Sequence, residues 1–204
     1  MSMRKALAVA CVAAVVAAIA VVQLRQAGII GSGGLRNADA AGGAASVGGP
    51  FNLIDPQGRT VTDGDFRGKV MLVYFGYTHC PDVCPTDLTA MGEAVRLLGP
   101  AAGNLAPIFI TLDPQRDTPS VMGEFVQLID PQVTGLSGPP AATAAAAKAY
   151  RVYYAKVEKP DDPDGYGIDH SAYMYLMGRD GKFLTVFRHG SDPETIAAGI
   201  KPYL

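Results

Sequence analysis

Cysteine is scarce in this 204-residue chain, with only Cys11, Cys80 and Cys84. That is too few to staple a small domain with disulfides, so the core must come from apolar packing, and cysteine chemistry is confined to the local pair Cys80 and Cys84. Positive charge is not in excess either. Lys and Arg number 17 against 19 Asp and Glu, for a formal net charge of −2, and no basic stripe of the kind that neutralises phosphates is present, which argues against a nucleic-acid partner. No internal repeat is visible, and the 7 Met are scattered, so they read as packing residues and not as a Met-rich metal tract.

What the chain does have begins with a charged flank and an apolar run. Arg4 and Lys5 precede uncharged residues 6–22, and polar residues resume at Gln23 and Arg25. By the positive-inside rule this order sends the remainder across a bacterial inner membrane, so the domain is expected in the periplasm. The run fits the length range of a span when Leu24 and the flanks contribute. Residues 1–27 therefore read as a retained single anchor, with Ala18-Ile19-Ala20 as the weaker signal-peptidase alternative. Cys11 has Ala8 and not Leu three residues before it, so it reads as a membrane-embedded residue and not a lipidated one.

Residues 28–49 are mostly Gly, Ala and Ser with few large apolar side chains, too little buriable surface to offset ordering entropy, which predicts a flexible tether. Residues 50–204 then form one expected domain. Phe51, Leu53 and Ile54, the turn Asp55-Pro56-Gln57-Gly58 and Thr60 to Thr62 predict a small hairpin. The unalternating run Val70-Met71-Leu72-Val73-Tyr74-Phe75 suits a central strand covered on both faces. Leu88, Met91, Val95 and Leu98 fall on one helical face before Gly99-Pro100 ends the helix. A second strand over 108–112 and a helix from Thr118 and Pro119 follow, which implies a parallel βαβ core. Residues 141–150 are Ala-rich and predict a helix leading into a strand over 152–157, and residues 158–167 read as a charged, turn-rich interruption. Strands over 172–177 and 182–187, joined by Gly178-Arg179-Asp180-Gly181, and a last helix after Ser191 and Pro193 complete the order. The fold class expected is α/β, a thioredoxin-like fold with a central mixed sheet flanked by helices and an N-terminal hairpin extension.

The chemistry concentrates in Gly76-Tyr77-Thr78-His79-Cys80-Pro81-Asp82-Val83-Cys84-Pro85, between a buried strand and a helix start. Pro85 suits the first helical turn, which places Cys84 at the cap, where the helix dipole and free N–H groups predict a lowered thiol pKa. With Cys80 four residues earlier, two soft thiolates can meet on one ion of the kind Cu(I) exemplifies. A disulfide between them is the structural alternative in an oxidising compartment. A thioredoxin-type redox pair is the sharper competitor, but it would use two intervening residues and a proline before the facing strand, where this chain has Asp169-His170-Ser171. His170, at the end of a loop rich in Asp, Pro and Gly, is placed either to close over the thiolates as a third ligand or to be an ordinary histidine, and spacing does not choose.

Three blocks together resemble the Sco/SenC family of copper-delivery proteins for cytochrome c oxidase assembly. They are Gly76 to Pro85, the turn Thr111-Leu112-Asp113-Pro114-Gln115-Arg116-Asp117-Thr118-Pro119, and Ile168-Asp169-His170-Ser171 leading into Tyr173-Met174-Tyr175-Leu176. The resemblance implies copper, as Cu(I), Cu(II) or both, held by Cys80, Cys84 and His170. It also implies an N-terminal anchor and delivery to the binuclear copper site of cytochrome c oxidase subunit II, with other periplasmic copper carriers or thiol reductants as further partners. The alternative from another class is a thiol-disulfide oxidoreductase in which Cys80 and Cys84 are the redox-active pair. Zinc also suits two thiolates and an imidazole but usually wants a fourth ligand. A peroxidase would need a single peroxidatic cysteine, which the proximal pair argues against.

The remaining candidates are weaker. His79 is expected to point away along the loop, and His189 to be ordinary surface. Asp113, Arg116 and Asp117 stand at a strand end near the site, where turn stabilisation and partner recognition are equal readings. Asp169 is expected to accept a bond that orients His170.

Overall fold

The structure, a computed structural model, describes residues 47–160 and 165–204. The expected anchor over 1–27, Cys11 and most of the tether lie outside the described residues. Among the described residues no helix is long and apolar enough to cross a membrane.

The predicted hairpin is present as β1 (Asn52–Ile54) antiparallel to β2 (Thr60–Thr62). Its turn is built by Asp55, whose buried carboxylate accepts from the amides of Gln57 and Arg59 and from the Arg59 guanidinium. Gly58 supplies the left-handed residue at φ +76°. The central run is β3 (Val70–Gly76), buried at every position as its lack of alternation predicted. α1 (Val83–Leu97) carries the chain over to β4 (Leu105–Thr111), also wholly buried and parallel to β3. The Thr118 hydroxyl caps α2 (Pro119–Ile129) by accepting from the Val121 amide.

β5 (Thr134–Leu136) then pairs in parallel with β4, a strand that sequence patterning missed. Three residues are too few to show a period. α3 (Pro140–Ala149) is the Ala-rich helix, and β8 (Tyr173–Met177), β9 (Phe183–Arg188) and α4 (Pro193–Ile200) follow the predicted ββα ending. The main sheet runs β5-β4-β3-β8-β9, three parallel strands continued by two antiparallel ones, and α1 packs on α4. This is the expected mixed sheet of a thioredoxin-like fold.

The segment before β8 departs from expectation. The expected strand over 152–157 lies at Tyr154–Glu158 (β6), and part of the supposed interruption forms β7 (Tyr166–His170), antiparallel to β6 in a sheet of its own. Asp and Gly depress strand propensity locally, but the β6 backbone supplies partners that no local pattern records. His170 is thus the last residue of a strand, paired with Tyr154, and not the end of a loop.

Candidate metal centre

β3 ends at Gly76, and the next six residues loop into α1, whose cap is Asp82. The helix starts two residues earlier than Pro85 suggested, so Cys84 lies within the first turn and not at the cap. Gly76 is required there. A Cβ on it would meet Cys84 Sγ at 2.6 Å and the Phe109 ring at 2.9 Å, so only glycine lets the helix sulfur settle against the strand end. Cys84 is fully buried and Cys80 nearly so, and both are free thiols. The Cys84 amide donates to Cys80 Sγ at 3.4 Å.

His170 reaches the same point from β7. Its Nδ1 lies 3.1 Å from the Ser171 carbonyl oxygen, which can only accept, so Nδ1 carries the proton. That leaves Nε2 with its lone pair, 3.7 Å from Cys84 Sγ. The rings of Tyr74 and Tyr77 flank the imidazole at centroid distances of 6.4 and 6.1 Å. Asp169 is exposed, so the Ser171 carbonyl fills the orienting role expected of it.

The two thiols ionise in the opposite order to the expectation. Cys80 is lowered to about 5. The Cys84 thiol is the largest cause, donating to its sulfur against the cost of burial, with help from the Cys84 and Asp82 amides and the His170 ring. Cys84 is pushed up by sharing that bond with Cys80 and by its own burial. The unpaired N–H groups at the helix start serve the sulfur four residues upstream. Next to Cys84, the Tyr74 hydroxyl is buried without a hydrogen-bond partner among the described residues, and burial together with the charges of Cys84 and Asp87 raises its pKa.

The turn after β4 joins the two halves of the site. Asp117, completely buried, accepts from the Thr78 amide at 3.0 Å, the Thr78 hydroxyl at 2.5 Å and the Thr111 hydroxyl at 2.6 Å, which straps the cysteine loop to the end of β4. Arg116 pairs with Asp113 at 2.5 Å and stacks 3.9 Å over the Tyr166 ring at the start of β7. The Tyr166 hydroxyl donates to Asp113 at 3.0 Å, and Lys156 covers the ring at 4.0 Å. Of the two readings open for these residues, internal bracing is the one the contacts carry.

Cys80, His170, Tyr77 and His189 line one cleft of about 340 Å³. A larger groove of about 800 Å³, between α2 and the β1–β2 turn, does not touch the cysteines. His79 is directed elsewhere, as expected, with Nδ1 3.0 Å from the Thr78 hydroxyl and 3.8 Å from Asp117. His189 is not ordinary surface. Its Nδ1 lies 2.9 Å from the buried Asp87 carboxylate. A partner 102 residues away leaves no trace in local sequence. Chemically the site offers two sulfurs, one already inclined to ionise, and one imidazole nitrogen, a donor set suited to a soft or borderline ion. The same pair of thiols can exchange two electrons with a disulfide.

Known proteins share this arrangement of elements. The chain is similar to SenC of Rhodobacter capsulatus, 45% identical over 161 residues that cover 79% of this chain and 72% of the relative. It is similar also to the Sco1 protein of Schizosaccharomyces pombe, 42% identical over 163 residues covering 79% of this chain but only 62% of that longer protein. Among solved structures, Bradyrhizobium japonicum ScoI with copper bound superposes with a TM-score of 0.72 at 48% identity, covering 78% of this chain and all of that one. The SCO1/SenC family model matches residues 39–204, and the chain belongs to that family.

Proposed function

We propose that this chain is a periplasmic copper carrier that binds one copper ion through Cys80, Cys84 and His170 and delivers it to the binuclear copper site of cytochrome c oxidase subunit II. The observation that carries the reading is the 3.7 Å approach of His170 Nε2 to Cys84 Sγ, with Nδ1 committed to a carbonyl and Cys80 beside them. Reduced sulfurs and a neutral imidazole favour Cu(I) over hard cations. The copper-bound ScoI structure supports copper over zinc as the cargo. Copper is a passenger here, released by exchange onto the acceptor's own ligands. Formation of a Cys80–Cys84 disulfide withdraws both sulfur donors, so metal release and thiol oxidation are coupled. The charged flank and apolar run over 4–22 support a single anchor in the bacterial inner membrane.

A second reading has its own observation, the Cys80 thiol lowered to about 5. In it the pair reduces the acceptor's disulfide before another carrier metallates it. The Cys80 thiolate attacks one acceptor sulfur and expels the other as a thiolate. Cys84, once deprotonated, then attacks Cys80 and releases the second acceptor thiolate, leaving a Cys80–Cys84 disulfide and an acceptor reduced by two electrons.

Copper and zinc stoichiometry on the reduced protein separates the two. About one copper per chain, lost on Cys80→Ala, Cys84→Ala and His170→Ala alike, is the carrier's result. Copper binding that ignores His170, or no retained copper at all, defeats the carrier reading and leaves the dithiol reductant, which His170→Ala spares.

A further inference from the structure

Copper held as proposed is hard to reach. Cys84 is 0% exposed and Cys80 8% exposed, so an incoming donor has little of either sulfur to approach. Ligand exchange needs a donor that can be met from outside before an inner bond breaks. The cleft has one further imidazole at its wall, His189, whose side chain is 46% exposed.

His189 is the first residue after β9, and its ring is fixed from behind. The Asp87 carboxylate, 1% exposed, takes Nδ1 at 2.9 Å and the Gly190 amide at 3.3 Å on the same oxygen, Oδ1. A carboxylate only accepts, so Nδ1 carries the proton, and Nε2 is the nitrogen left for a metal. A carboxylate behind an imidazole is the arrangement that orients metal-binding histidines and raises their basicity. Asp87 stands one helical turn beyond Cys84 on α1, so the helix that positions the buried sulfur also positions this outer ring. The second Asp87 oxygen is buried on the side of the buried Tyr74 hydroxyl, so only the first oxygen faces the outer ring.

We propose that His189 is a transient copper ligand at the mouth of the cleft, through which the ion passes on its way to and from Cys80, Cys84 and His170. This rests on the carrier reading. It adds that loading and release, and not the final affinity, depend on this second imidazole of the cleft. Lys159, Asp82 and Asp169 share the cleft wall, but a protonated ammonium offers no lone pair, and carboxylates are poor donors to a soft ion.

The test is the rate at which the reduced, Cu(I)-loaded full-length chain gives up copper to a water-soluble bidentate Cu(I) chelator. His189→Ala removes the ring. His189→Asn also removes it but keeps an amide N–H to bond Asp87. Both variants are expected to bind one copper and to release it about tenfold more slowly than wild type, with free imidazole in the buffer restoring the rate. Release at the wild-type rate in both variants overturns the inference and leaves the carrier reading standing. So does slow release in His189→Ala alone, because the Asn variant then shows that the bond to Asp87 was all that mattered. A wild-type chain that takes up no copper overturns both readings together.

Discussion

Asp117 and Thr78 are joined twice, through the Thr78 amide at 3.0 Å and the Thr78 hydroxyl at 2.5 Å, across 39 residues of sequence. The cysteine loop is thereby fastened to the end of β4, and the same carboxylate also takes the Thr111 hydroxyl. Hydrogen bonds to a charged acceptor contribute about 1.5–3 kcal/mol each. Replacing Asp117 by Ala leaves a buried amide and two hydroxyls to find new partners. The expected outcome is a loss of about 3 kcal/mol in urea unfolding, with weakened copper binding because Cys80 is no longer held. Asp117→Asn keeps the volume and one acceptor oxygen, and should lose less of both. Equal stability of wild type and Asp117→Ala would show that the strap is not structural.

Gly76 leaves no room for a side chain beside Cys84. In Gly76→Ala the new methyl must displace either the Cys84 sulfur or the Phe109 ring, because the undisturbed distances are 2.6 and 2.9 Å. Overpacking of this kind costs about 1–3 kcal/mol. A variant that still folds should hold copper more weakly than wild type, since the displaced atom is a proposed ligand. Thermal unfolding and copper competition on the same sample check both halves. A destabilised variant with unchanged copper affinity would mean that Phe109, and not Cys84, gives way.

The thiols of the reduced, metal-free protein should alkylate in sequence as pH is raised. Cys80 is lowered to about 5, so it is largely thiolate at neutral pH. Its reactivity should fall as the pH drops through about 5, to about a tenth of the plateau one unit lower still. Cys84 is raised and should resist modification where Cys80 reacts. Mass spectrometry after timed iodoacetamide treatment assigns the site. Preferential labelling of Cys84 would reverse the order and restore the assignment that helix-end reasoning alone gives.

That reversal marks where sequence stops being sufficient. β3 was legible because a run of large apolar residues without alternation has few other uses, and α2 because Thr118-Pro119 states its start chemically. Cys80, Cys84 and His170 stood out through their motifs, and the fold brings them together. The ionisation order did not, because it depends on which thiol donates to the other's sulfur in three dimensions, with the Cys84 amide adding to the same side. β7 was hidden by its Asp and Gly content until β6 supplied hydrogen bonds. The Ser171 carbonyl behind His170 was invisible for a simpler reason, that backbone carbonyls belong to every residue and no side-chain pattern announces which one is used.

Tyr166 offers the last test, since it holds the histidine-bearing hairpin to the rest of the domain. Its ring lies between Arg116 at 3.9 Å and Lys156 at 4.0 Å, and its hydroxyl donates to the buried Asp113. Tyr166→Phe removes only the hydroxyl and should cost about 1–2 kcal/mol, the range for a bond to a charged acceptor with some re-solvation. Tyr166→Ala removes the ring as well, with two cation–π contacts of about 0.5–2 kcal/mol each. It should also free β6 and β7 locally, because these strands pair only with each other. Hydrogen exchange resolved along the chain is the deciding measurement. Faster exchange confined to 154–158 and 166–170 in Tyr166→Ala, with 70–76 and 105–111 protected as in wild type, would identify the stack as the clamp that carries His170 to Cys84. Uniform loss of protection would instead assign Tyr166 to the global core, and the hairpin would then have no separate freedom for the clamp to restrain.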